Sequence, residues 1–122
     1  MEVLNLSRHL WLLTMDLPLV EMNNNHLINA AVQIVPLQGE SHYNKYIDAA
    51  ISVIQKSGLK YAVTPMETVI EGPKLKVLKL LDDVRETALD AGADELLVNI
   101  KLHLKKNKDV TFSEKLDKFK ST

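Results

Sequence analysis

The sixteen residues from Ser57 to Gly72, SGLKYAVTPMETVIEG, constrain the fold of this chain more than any other stretch. Gly58 is a helix stop, because the position just past a helix end takes a left-handed conformation that glycine reaches without steric cost. Tyr61 to Thr64 alternates as a strand does, Pro65-Met66-Glu67 interrupts it, and Thr68 to Glu71 forms a second strand. Gly72-Pro73 then opens a helix, since the first helical turn has no use for the N–H that proline lacks. A helix, a β-hairpin and another helix must follow one another with almost no connecting residues.

The flanking segments complete the pattern. Ala30 to Leu37 is a short apolar strand limited by Pro36 and ended by Gly39. Ser41 is the expected N-cap of a helix whose Tyr43, Tyr46, Ile47, Ala50, Ile51 and Ile54 recur at helical spacing. In the second helix, from Pro73 to Ala91, Val77, Leu81, Val84, Ala88 and Ala91 form the apolar stripe, and Gly92 closes it. A last strand follows, with Leu96, Val98, Ile100, Leu102 and Leu104 in one phase and Leu97, Asn99, Lys101 and His103 in the other. A short basic helix capped by Ser113 ends the chain.

The order β-α-β-β-α-β predicts an α+β, ferredoxin-like sandwich. Right-handed crossovers put both helices on one face of a four-stranded antiparallel sheet. The other face mixes Val35 and Leu97 with Gln33, Asn99 and Lys101. An open, half-apolar sheet suits a partner or a ligand, so assembly into a homo-oligomer through this face is expected unless a terminal segment folds over it.

The domain is expected to span residues 27–122, with residues 1–26 as an N-terminal extension of different character. His9 to Leu13 is apolar, yet Asp16, Pro18 and Glu21 follow at once without a small-residue cleavage site, which argues against a secretory signal. Residues 1–21 are expected to be dispensable for the fold. No apolar run approaches the roughly 18 residues of a membrane span. The net charge of -1 favours neither nucleic acid nor acidic lipid. With no cysteine there are no disulfides and no thiolate chemistry, which fits a cytoplasmic protein. The four histidines lack ligand spacing, so no metal site is expected, and the central strands lack the aromatics of an RNA-binding sheet.

Ser57-Gly-Leu-Lys-Tyr, Thr64-Pro-Met and Thr68-Val-Ile-Glu-Gly together resemble the hallmark of the small YkoF-like thiamine-binding family. Val35-Pro-Leu and Ile100-Lys-Leu are similar to its shorter motifs, so the resemblance spans roughly residues 28–108. It implies a ferredoxin-like fold, dimers or tetramers, and non-catalytic binding of thiamine or its hydroxymethylpyrimidine part, with no cofactor. The family usually has glycine where this chain has Glu67, a position where glycine would suit a left-handed turn or close ligand approach.

For such a ligand, Gln33, Thr64, Thr68 and Asn99 supply donors and acceptors for the aminopyrimidine edge. Glu67 or Glu71 balances the thiazolium cation, and Val35, Met66 and Ile70 provide apolar walls. Lys101 belongs to a basic cluster with Lys105, Lys106 and Lys108 that suits either a solvated edge or a phosphorylated ligand. Each residue has a plainer role open to it: threonines as strand formers, Gln33 and Asn99 as a cross-strand pair, Glu71 at a helix start. Two other functions remain open on fold analogy. One is an ACT-like regulatory module with its ligand at Gln38-Gly39-Glu40. The other is a small ferredoxin-like monooxygenase with a polar cavity between helices and sheet.

Overall fold

The computed structural model describes residues 25–37 and 43–120. The elements run β1 (Leu27–Pro36), α1 (Tyr43–Lys56), β2 (Lys60–Val63), β3 (Thr68–Pro73), α2 (Lys74–Asp90), β4 (Leu96–His103) and α3 (Phe112–Leu116), with a 3₁₀ turn at Asp117–Phe119. The sheet order is β2-β3-β1-β4, and every pairing is antiparallel. This is the expected ferredoxin-like sandwich. One of its two central strands, β1, is the first of the described strands in sequence.

Pairing register sorts the side chains onto two faces. Ile28, Ala30, Val32 and Ile34 of β1 point to the helices and join Ile70, Ala50, Ile54, Val77, Leu80, Leu81, Val84 and Ala88 in one core. The step of two along a strand and of three and four along a helix brings these together. Even-numbered β4 residues pair opposite even-numbered β1 residues and share this face, but Ile100 and Leu102 stay about half exposed at the sheet edge.

The connections are as tight as Ser57–Gly72 requires. Gly58 has φ +81° after α1, and Gly92 has φ +120° after α2. Gly72 is needed for space. A Cβ there would stand 3.1 Å from both methyls of Leu59 and 3.3 Å from Val77 Cγ2. Pro73 ends β3 rather than lying within the helix, and its side chain cannot cap α2. The cap comes instead from the segment before β1: the Asn25 Oδ1 accepts from the Leu75 N–H at 3.0 Å, and the His26 carbonyl accepts from the Lys74 N–H at 3.0 Å. Asn25 and His26, which the sequence reading placed in the extension, thus bond to the start of α2. Residues 1–24, the expected Ser41 cap and the Gln38-Gly39-Glu40 loop lie outside the described residues.

The C-terminal segment differs from expectation. Thr111, not Ser113, caps α3: its hydroxyl accepts from the Glu114 N–H at 3.1 Å, while the Glu114 carboxylate accepts from the Thr111 N–H at 2.7 Å. This reciprocal capping box leaves Ser113 inside the helix. The segment crosses the sheet face opposite α1 and α2. Val110, fully buried, donates its N–H to the Leu27 carbonyl at 2.9 Å, and Leu27 N–H is bonded to Asp109 Oδ1 at 2.8 Å. A third helix thus covers part of the second face.

Candidate functional site

The β2–β3 hairpin turns through four residues, Thr64 to Glu67, between the paired Val63 and Thr68. Thr64 closes the turn. Its N–H donates to the Glu67 carbonyl at 3.0 Å and its hydroxyl donates to the same oxygen at 2.6 Å. The hydroxyl also accepts from the Glu67 N–H at 3.2 Å. Threonine favours this arrangement because its short side chain reaches backbone groups two and three residues on. Glu67 keeps φ out of the left-handed region, so in this chain the turn forms without a glycine at that position.

Between this hairpin, α1 and the end of β1 lies a hollow of about 210 Å³. Val32, Ile34, Ile47, Ile51 and Val63 are among its aliphatic walls, and Tyr43 stands at its edge on α1. Five of the expected site residues meet around it: Gln33, Thr64, Met66, Glu67 and Thr68. Thr68 is buried, whereas Met66 is 73% exposed at the tip. Such a mixture, mostly apolar with a few fixed polar groups, is what small-molecule sites are made of.

Two further expected residues join through hydrogen bonds. Asn99 Nδ2 donates to Gln33 Oε1 at 3.0 Å, directly across the β1–β4 register. Lys101 Nζ lies 3.1 Å from Glu67 Oε2. The Lys101–Glu67 and Asn99–Gln33 pairs form a polar strip on the face opposite α1 and α2, beside the hollow.

The other three stand apart. Ile70 is fully buried in the core and is not part of the hairpin hollow's wall, because its position in β3 turns it toward the helices. Val35 pairs with Leu97 beyond the strip, toward the end of the sheet. Glu71 accepts from the Phe112 N–H, so it neither starts α2 nor faces the hairpin hollow.

A second concavity was not anticipated. It is a groove of about 380 Å³ on the face opposite α1 and α2, between the sheet and α3, lined by Asn29, Ala31, Ala62, Val69, Phe112 and Leu116 among others. The missed signal was local: Thr111-Phe-Ser-Glu114 reads as a helix start, and Phe112 and Leu116 sit four apart on one side of the resulting turn. Among the described residues no three His, Asp or Glu side chains converge as a metal site would require, and no helix is long and apolar enough to cross a membrane.

Comparison with known proteins gives consistent results. The model of a family described as thiamine-binding protein matches residues 30–120. A UPF0045 protein of Clostridium perfringens is 32% identical over 92 residues, covering 75% of this chain and 96% of the relative. The solved structure of a domain of unknown function from Bacillus cereus is 32% identical, with a TM-score of 0.73 over 78% of this chain and 91% of that one. A Thermotoga maritima structure, 22% identical with a TM-score of 0.70 over 77% of this chain and 99% of that one, shares the fold.

Proposed function

Because the chain belongs to the thiamine-binding protein family, we propose that it is a non-catalytic binding protein for thiamine or its hydroxymethylpyrimidine part, serving as carrier, buffer or sensor. The observation that carries this reading is the hollow walled by Val32, Ile34 and Ile51, with Thr64, Glu67 and Thr68 of the hairpin lining its other side.

The hollow's size favours one ring. At about 210 Å³ it is smaller than the roughly 300–1,000 Å³ of sites for larger ligands. An aminopyrimidine ring lies flat against Val32, Ile34 and Ile51, with its polar edge toward Thr68 and the strand backbone. The thiazolium ring then projects toward Met66 and the Glu67 carboxylate, whose charge offsets the cation. Lys101, bonded to Glu67, stands where a phosphate on the ligand would reach it. Thr64 contributes indirectly, by holding the turn that carries Met66 and Glu67.

Assembly belongs to the same proposal. With α3 over one part of the second face, Val35, Leu97 and the Gln33–Asn99 pair remain as the surface for a homo-dimer or homo-tetramer contact, with Leu97 49% exposed.

Calorimetric titration of the purified chain with thiamine, hydroxymethylpyrimidine, thiamine phosphates and a panel of amino acids tests the reading. Heat with the pyrimidines and none with the amino acids supports it. Silence toward every pyrimidine, with a clear amino-acid response, overturns it in favour of an ACT-like module.

A further inference from the structure

Asn29, in the wall of the open-face groove, carries a buried hydrogen-bond acceptor with no partner among the described residues. Asn29 is 6% exposed, its Nδ2 donates to the Val110 carbonyl at 3.1 Å, and its Oδ1 is bonded to nothing among the described residues. Exchanging the two amide atoms offers no escape, because Oδ1 would then meet the Val110 carbonyl oxygen, acceptor against acceptor. Folded proteins leave few buried polar atoms unpaired, and those they do leave call for a reason.

The surroundings supply one. Register places Ala62, Val69, Ala31 and Lys101 in a single row across the four strands. Three short side chains in succession leave a trough in the sheet surface, with a cation at its end. The adjacent row is Lys60, Glu71, Asn29 and His103. Phe112 and Leu116 of α3 form the far wall, and Lys115 stands at the mouth. Among the described residues Lys115 has no carboxylate within ion-pair distance, whereas Lys101 is bonded to Glu67. At about 380 Å³ the groove has the size of an ordinary ligand site.

We propose that this groove binds a small amphipathic organic anion, in a site separate from the hairpin hollow. A flat apolar body lies in the Ala62–Val69–Ala31 trough against Phe112. An N–H or O–H on that body donates to Asn29 Oδ1, and an acidic group meets Lys115, with Lys101 behind it. The neighbouring ammonium groups disfavour a cation such as thiamine in the same place.

The dye 8-anilinonaphthalene-1-sulfonate carries each required part: fused apolar rings, one N–H and one sulfonate. Titrated into the full chain, it is expected to bind with one-to-one stoichiometry and to shift the backbone amide resonances of Ala31, Ala62, Val69 and Phe112. Ala62→Trp fills the trough from an edge strand and should weaken binding at least tenfold. Lys115→Glu should weaken it roughly tenfold, the effect of about one charge-assisted contact. Thermal melts of both variants establish folding, and Lys115→Glu, which adds no bulk to the trough, keeps the test valid if Ala62→Trp does not fold. Excess thiamine should leave dye binding unchanged. Absence of saturable binding, unchanged affinity in the folded variants, shifts confined to the hairpin, or displacement by thiamine would each overturn the proposal.

Discussion

The Glu71 carboxylate accepts a hydrogen bond from the Phe112 backbone N–H at 2.5 Å, joining β3 to the start of α3 across 41 positions of sequence. Phe112 is further held by Lys60, whose Nζ lies 5.6 Å from the ring centre. Replacing Glu71 with alanine leaves that N–H without its acceptor in a partly buried place. Urea unfolding should show a loss of about 1–2 kcal/mol. Hydrogen exchange should speed up at Phe112 more than in α2. An unchanged midpoint and unchanged exchange would mean that α3 is held by its apolar contacts alone.

Acid should loosen the same segment in a defined window. The Glu114 carboxyl is lowered from 4.5 to about 2, first by the hydrogen bond from Lys105 and then by the Thr111 backbone N–H. A depressed folded-state value means that its stabilising effect is complete above 4.5 and is lost as the pH falls through about 2. Solvent attenuates the effect at this exposed group, so it should appear as fraying of α3 rather than global unfolding. The Thr111 amide resonance should move across that window in the natural chain and stay still in Glu114→Gln.

Thr64 separates a turn role from a ligand role. Thr64→Val removes the hydroxyl that serves the Glu67 N–H and carbonyl, which should cost about 1 kcal/mol and reduce ligand affinity by displacing Glu67. Thr64→Ser keeps the hydroxyl and should restore both. If serine restores stability without affinity, the threonine methyl itself touches the ligand.

Gly72→Ala should destabilise by roughly 1–2 kcal/mol, because the new methyl crowds Leu59 and Val77. Pairing it with Leu59→Ala should recover part of that loss, as chemical denaturation of the double variant would show. Strict additivity would mean the strain lies in the backbone instead.

Asn25 ties the segment before β1 to the start of α2. Asn25→Ala should cost about 1 kcal/mol by removing the α2 cap. Deleting residues 1–21 should leave the melting temperature close to that of the full chain, whereas deletion through His26 should lower it by several degrees.

The hairpin and its flanking helices were legible because glycine and proline have local backbone reasons to be where they are. Gly58 is needed for its positive φ, and Val77, Leu81, Val84 and Ala88 repeat at the period of one helix face. Most of what escaped was non-local. Nothing near Pro73 in sequence announces that the α2 cap comes from Asn25, 50 positions before the residue it serves. The Thr111-Phe-Ser-Glu box was readable, but Ser113 offered a competing cap, and only the bond to Glu71 shows where the helix docks. For the candidate site, strand phase correctly put Gln33 beside Asn99. It could not put Ile70 in the core, since either phase of a short strand with apolar residues on both sides reads as buried.

The position of β1 bears on how the chain is made. It leaves the ribosome first among the described strands, yet it is central and needs both β3 and β4 as neighbours. An apolar strand must therefore wait through most of translation before its second edge is filled, and Val110 closes over Leu27 later still. Long-range closure of this kind is slow and leaves sticky surface exposed meanwhile. A nascent chain stalled at residue 95 should accordingly be protease-sensitive and bound by chaperones, becoming resistant only once α3 has emerged.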